Sequence, residues 1–215
     1  MGSRILSLAG ACMLALLSAA FGRQDASAAG PRAKGVKGEV AGVSFAVPDD
    51  FRLVKAKTGE SFAFMRHKRE ELGLFVAVAP AAPAGFEQLV AALLDPAAAK
   101  LFPKDQQKFE WKATGNLQTI SKHESGGGGA LGFNQRVAVL ADFHRISFNG
   151  RELLVGYVTE FGKGRQAAET FARGLGGGSG EGCVAVVELA SSITREKIDE
   201  DHHPCGLRTL PGSVE

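Results

Sequence analysis

The chain has 215 residues, 45% of them hydrophobic, with 25 basic and 23 acidic side chains and a net charge of +2. That near-balance supplies no long-range field for polyanions, so nucleic-acid binding loses its main electrostatic term. Apolar content of this size is enough for one domain with its own core, which needs no metal or cofactor to fold.

The chain opens as a targeting segment. Met1 to Arg4 is short and positively charged, and Ile5 to Phe21 is a nearly unbroken apolar run. A polar, small-residue stretch follows and contains Ala26-Ser27-Ala28, an A-x-A cleavage pattern. That order predicts a Sec-type signal peptide over 1–28 and a protein that is periplasmic or secreted. Cys12 lies inside the apolar run without the leucine of a lipoprotein box, so cleavage after Ala28 is preferred to acylation. Removal takes two basic residues and one acidic residue, and the net charge falls from +2 to +1. Nothing later is long and apolar enough for a membrane span. Residues 29–37 mix glycine, proline and lysine and read as a flexible leader to a single domain over 38–215.

Strand signals of period two then follow one another. Val43, Phe45 and Val47 alternate with small or polar residues, and Pro48-Asp49-Asp50 turns the chain. Phe51 and Leu53, Phe62 and Phe64, and Leu74, Val76 and Val78 mark three more runs, with the charged stretch Arg66 to Glu71 as a hairpin end. Phe86, Leu89, Val90, Leu93 and Leu94 form a helical stripe. Asp95-Pro96 is expected to cap and start a second, short helix that ends at Pro103. Phe109, Trp111 and Ala113 alternate again, and a polar strand is expected to continue through Leu117 and Ile120. Gly126 to Gly129 reads as a hairpin tip before a strand over Phe133 to Phe143. Asn149-Gly150 predicts a type I′ turn that pairs Phe148 with Arg151, Ile146 with Leu153 and His144 with Val155. A helix is expected from Arg165 to Leu175, then a glycine-rich link, a buried β-branched strand from Cys183, and a closing helix over Ser191 to Asp201. The class is α+β, an antiparallel sheet flanked by helices.

The opening "GVSFAVPDDFRLV", the strand near Leu74, the amphipathic helix after it and the late "ELLVGYV" strand resemble PsbP-like domains. That fold is shared by a photosystem extrinsic protein and a Ran-binding nuclear factor. The resemblance spans residues 38 to 198 and implies an α/β/α sandwich whose members mostly bind or assemble other proteins. It carries over no functional residue, because Phe51 stands where many members have Trp and no motif anchors a site.

Familiar chemistry is hard to find. Gly127-Gly128-Gly129-Ala130-Leu131-Gly132 matches a dinucleotide loop only formally, because a strand-like segment follows where a helix is needed. Phe161-Gly162-Lys163-Gly164 is no phosphate loop, and Ser179 lacks the second glycine of a nucleophile elbow. His67, His123 and His144 stand isolated in the sequence. The tail holds His202, His203 and Cys205, with Asp199 and Asp201 upstream, a set that suits Zn²⁺ or copper. Adjacent histidines on an extended chain point apart, however. In an oxidising compartment Cys183 and Cys205 are also the even pair left after cleavage, and a disulfide between them is preferred. It would close a loop of roughly 20 residues and contribute about 3 kcal/mol. The reading that follows is an exported, non-catalytic binding or assembly factor without a cofactor, whose partner is another exported protein or an apolar ligand in a cleft between the first helix and the sheet. Metal handling by the Cys-His tail, and hydrolysis by dispersed residues, are the alternatives.

Overall fold

Two covers, one on each face of a single antiparallel sheet, organise the chain. The computed structural model describes residues 35–54, 61–81, 85–114, 122–170 and 180–196, all within the compact unit Arg32–Glu215. The signal-peptide assignment, the expected strand through Leu117 and Ile120, and the tail with His202, His203 and Cys205 lie outside the described residues.

Strands β1 (Lys37–Val40) and β2 (Val43–Ala46) form a separate two-stranded hairpin, so strand structure begins at Lys37, within the stretch read as a leader. Among the described residues the main sheet has seven strands: β3 (Phe51–Val54), β4 (Phe62–His67), β5 (Leu72–Val78), β6 (Glu110–Thr114), β7 (Glu124–Phe133), β8 (Ala138–Phe148) and β9 (Arg151–Gly162). Their spatial order is β3-β4-β5-β9-β8-β7-β6, and every neighbouring pair is antiparallel. The Asn149-Gly150 turn has φ of 50° and 71°, and the hairpin it closes has the predicted register, Phe148 with Arg151, Ile146 with Leu153 and His144 with Val155.

Strand alternation divides the core in two. Leu74, Val76, Leu140, Ile146, Leu153 and Val155 face one way, toward the β1–β2 hairpin and helix α4 (Gly180–Thr194). Phe75, Ala77, Val139, Ala141, Phe143, Leu154 and Val158 face the other way, toward Leu93, Leu94, Ala97, Ala98 and Leu101. Both faces are covered, which makes an α/β/α sandwich of α+β class. Phe86, Leu89 and Val90 of the first helix pack against the cluster that contains Phe64, Phe75 and Phe143. Its inner residues Leu93 and Leu94 are fully buried, so the cleft expected between helix and sheet is filled by core side chains.

Three local expectations are corrected. The chain does not restart at Asp95-Pro96. Helix α1 (Phe86–Leu89) runs through a π-helical turn over Val90–Leu94 into α2 (Asp95–Leu101) without leaving helical backbone. The Asp95 N–H donates to the Val90 carbonyl five residues back. This wider turn lets Pro96, which has no N–H and whose ring presses on the preceding turn, sit inside a continuous helix. The Asp95 carboxylate accepts instead from Trp111 Nε1 at 2.9 Å.

The glycine run is no hairpin tip. Gly126 to Gly129 lie within β7, paired with β8 from Arg145 to Asp142. A Cβ at Gly127 would meet the Phe143 carbonyl at 2.8 Å, and one at Gly128 would meet the Phe143 ring at 2.8 Å. The missing side chains let large residues of β8 lie over β7. The turn comes later, at 134–136, so the strand expected over Phe133 to Phe143 is two strands.

The third correction concerns Cys183 to Leu189, which form the first half of α4. Gly182, Cys183, Ala185, Val186, Val187, Leu189, Ala190 and Ile193 are buried, a helical pattern, while Val184 is 52% exposed. A short β-branched run is ambiguous by periodicity, and the sheet it packs on decides the outcome. Close approach makes that packing possible, since a Cβ at Gly182 would lie 2.8 Å from Cδ2 of Tyr157. We expect Gly182→Ala to cost about 1–3 kcal/mol by forcing α4 from β9. Urea denaturation should show a lower midpoint with an unchanged slope.

Candidate functional site

Two kinds of place gather chemistry-bearing side chains: the sheet interior and an open cleft at one end. In the interior, Asp142 and His144 stand two residues apart on β8 and so share a face. The Tyr157 hydroxyl donates to Asp142 Oδ2 at 2.8 Å, and both residues are buried. His144 Nδ1 and Glu124 Oε1 are 2.9 Å apart, with side chains 1% and 3% exposed. Glu124 opens β7 next to a register shift before Gly126, and the bare Gly127 leaves room for the pair. Each acid is thereby closed against an imidazole or phenol inside the fold. This contact is the largest departure from sequence expectation, because no local signal links Glu124 to a histidine twenty residues later. Removing one partner of a buried charged pair leaves the other unsatisfied. Glu124→Ala should therefore cost about 3 kcal/mol, read by chemical denaturation, and Glu124→Gln, which keeps a hydrogen-bonding side chain, should cost less.

The other described histidines also meet glutamates. His67 Nε2 lies 3.1 Å from Glu181 Oε1, and its Nδ1 accepts the Glu70 N–H at 3.0 Å. His67, Glu70 and Glu181 bring ligand-type atoms within 4.8 Å of one another. Their hydrogen bonds oppose metal ligation by the imidazole. With Nδ1 accepting, the neutral ring carries its proton on Nε2 and donates it to Glu181, so no ring lone pair is left for an ion. The trio is a strap that ties the start of α4 to the β4–β5 turn. His123 Nε2 lies 3.3 Å from Glu196, whose other oxygen is 2.9 Å from Lys122 Nζ. The Lys122 hydrogen bond, aided by His123, holds the Glu196 carboxyl below its ordinary range.

The cleft lies at the far end of β7, with a volume of about 840 Å³. Phe109 and Glu110 at the start of β6, Phe133 at the end of β7, the 134–136 turn and Arg165 line it. Asn134 builds its wall. Its Oδ1 accepts from the N–H groups of Arg136 and Val137 at 2.8 and 2.9 Å, while its Nδ2 donates to the Gln106 carbonyl at 2.8 Å. That joins the β7–β8 turn to the 3₁₀ turn Lys104–Gln106 and sets Arg136 Nη1 2.5 Å from Asp105 Oδ2. Gly164, at φ 61°, starts α3 (Gly164–Thr170) against the same turn, where a side chain would press on the Gln135 carbonyl. Ala167 of α3 packs near Phe133, Ala138 and Phe161. Arg165 and Lys112 each hold a cation 5.2 Å from the Phe133 ring centre. Phe109 meets Phe102 and Trp111 at 5.4 and 5.5 Å. The cleft is thus an aromatic floor rimmed by charges. Sequence reasoning missed it, because its residues come from four segments with no common motif.

On β9, burial and then the neighbouring Glu71 push the Glu160 carboxyl above its ordinary value of 4.5, against a smaller opposing pull from Lys163. Relative to the unfolded chain, the folded state therefore favours the protonated Glu160 carboxyl. That contribution is complete below the ordinary value and is lost as pH rises through the raised one. Glu160→Gln should raise Tm at pH 7, with the gain over the parent vanishing as the melts are taken to lower pH.

Of the residues singled out from sequence, Cys183 is buried in the first turn of α4, not at the start of a strand. His202, His203 and Cys205 lie outside the described residues. Among the described residues no helix is long and apolar enough to cross a membrane.

No family model and no curated protein matches the chain. Among solved structures it is similar to the Ran-binding protein Mog1p of Saccharomyces cerevisiae, at 10% identity and a TM-score of 0.45, over 75% of this chain and 93% of that one. A Mog1 point mutant aligns at 12% identity and a TM-score of 0.43, over 78% and 98%. LpqN, described as involved in cell envelope biogenesis of Mycobacterium tuberculosis, aligns at 13% and 0.28, over 76% and 83%. Superpositions this loose carry nothing about function, and the α+β class rests on the strand order and the two covered faces.

Proposed function

We propose that this protein is an exported, non-catalytic binding or assembly factor, and that its contact site is the cleft around Phe133. One observation carries the reading: the shielded Asp142 and Glu124 carboxylates are closed on Tyr157 and His144 within the fold, whereas exposed charged groups converge on an open cleft over Phe133 and Phe109. Acid–base groups sealed into hydrogen bonds within a sheet cannot approach a substrate without unfolding their surroundings. An open cleft with aromatic and arginine groups has the composition of an interaction surface.

Export is part of the proposal and rests on the order of charged, apolar and small-residue segments in 1–28. The Cys183–Cys205 bridge is a second part. Cys183 is not a free thiol, and an oxidising compartment would preserve such a bond. The bridge would also remove the thiolate on which the metal-handling alternative depends.

A photo-crosslinking residue in place of Gln135, in the native host, tests the contact site, with the same residue in place of Val184 as a surface control. We expect adducts of one discrete mass from the cleft and none from the control. Equal labelling from both positions, or none from either, would remove the cleft as the contact site. Intact mass of the purified protein, non-reduced, should match a chain beginning near Ala29 and two hydrogens lighter than the dithiol. A free Cys205 would return the tail to consideration as a metal site.

A further inference from the structure

The cleft carries its own statement about what it binds. Phe133 lies at its base, buried beneath the Lys112 and Arg165 cations, and the half-buried Phe109 also lines it. Its rim is cationic. Lys108 and Arg136 line it, Arg165 enters from α3, and Lys112 leans over Phe133 from β6. Against these four cations stand two acids, Asp105 and Glu110. The surplus of two positive charges compares with a net charge of +1 for the chain after cleavage at Ala28, so the remainder carries −1 and the positive imbalance sits here.

The cations are also incompletely matched. Arg136 is held closely by Asp105 at 2.5 Å. Glu110, by contrast, splits its two oxygens, one 3.6 Å from Lys112 and the other 3.5 Å from Arg165. A charge-assisted hydrogen bond has a length of about 2.7–2.9 Å, so one carboxylate spans two cations without closing on either. Lys108 has no carboxylate partner among the described residues. Arg165 in particular offers a planar fork suited to two carboxylate oxygens, of which one long contact is used.

We infer that this cleft receives an acidic segment of a partner protein, with carboxylates placed between Arg165, Lys112 and Lys108. The inference deepens the binding reading above and rests on it. A peptide segment is favoured over a small free anion for two physical reasons. The cations lie at an open surface, with Lys112 and Arg165 61% and 62% exposed, where a single ion pair is screened and contributes little. A segment carrying several carboxylates makes several such pairs in one binding event.

Trp111 is the only tryptophan in the chain and lies 5.5 Å from Phe109, so its fluorescence reports on the cleft. The probes are an acetylated heptapeptide of alternating Asp or Glu with Phe or Leu, its Asn/Gln counterpart, its Lys counterpart, and inorganic phosphate. The acidic peptide should shift the Trp111 signal saturably, with affinity falling at least tenfold between low and high salt, and the amide and Lys peptides should not. Arg165→Glu with Lys112→Glu should weaken the acidic peptide about tenfold or more and admit the Lys peptide. Arg165→Lys should retain part of the binding. Arg52→Glu, on the opposite edge of the sheet, changes the net charge as a single cleft variant does and should leave binding unchanged. Equal binding of acidic and amide peptides, equal loss in Arg52→Glu and Arg165→Glu, or displacement by phosphate at the peptide's own concentration would each overturn the inference. The crosslinking from position 135 separates the two levels. Adducts there with no acidic preference would leave the binding reading standing and remove the ligand class, and an absence of adducts would remove both.

Discussion

The β8–β9 hairpin is the element on which the rest of the structure depends. Its turn needs two residues of positive φ, and Asn149-Gly150 supplies them in the sense that matches strand twist. Once Phe148 faces Arg151, every residue out to Val139 and Glu160 has a partner and a face. Because these central strands are apolar on both faces, neither face can be left to water. Two covers are required. Leu153 and Val155 bring α4 and the β1–β2 hairpin to one side, while Leu154 and Val158 bring α1, the π turn and α2 to the other.

The glycine-rich β7 follows from the same centre. With β8 fixed by its hairpin, Phe143 and His144 project over the next strand, and only residues without side chains can lie beneath them. Gly127 and Gly128 accordingly pair with His144 and Phe143. Glycine ordinarily weakens a strand. Here β7 is held by neighbours on both edges, β8 and β6, and by the Glu124–His144 contact at its start. The far end of that strand delivers Phe133 to the cleft. Core packing and candidate site are thus joined by one strand, whose start holds the shielded Glu124–His144 pair and whose buried end places Phe133 beneath the cleft.

The division of polar groups between interior and surface has a physical basis. The Asp142 and Glu124 carboxylates are both shielded from water, where an unmatched carboxylate would cost several kcal/mol. Tyr157 and His144 satisfy them at hydrogen-bond distance, and the arrangement specifies register as much as it stabilises. At the surface the requirement relaxes. Glu110 can stand between Lys112 and Arg165 at 3.5–3.6 Å because water completes what the protein leaves open.

By itself the sequence determined the features encoded within a few residues of one another: the period-two strands from Val43 to Val78, the stripe from Phe86 to Leu94, the turn at Asn149-Gly150 and the register it imposes. These depend on turn dihedrals and on alternation along one segment, and so they were legible, as was the α+β class built from them. Only tertiary structure decided the rest. Cys183 to Leu189 is helical because a flat sheet face around Tyr157 accepts a helix approaching through Gly182. Gly126 to Gly129 is strand because Phe143 and His144 need the space. Asp95-Pro96 stays inside a helix because a π turn absorbs the proline while Trp111 takes up the aspartate. The cleft exists because Asn134 ties two distant turns together and Gly164 lets α3 begin beside them. In each case the deciding atom lies far along the chain, and its influence is steric or electrostatic contact, which no local pattern of residues records.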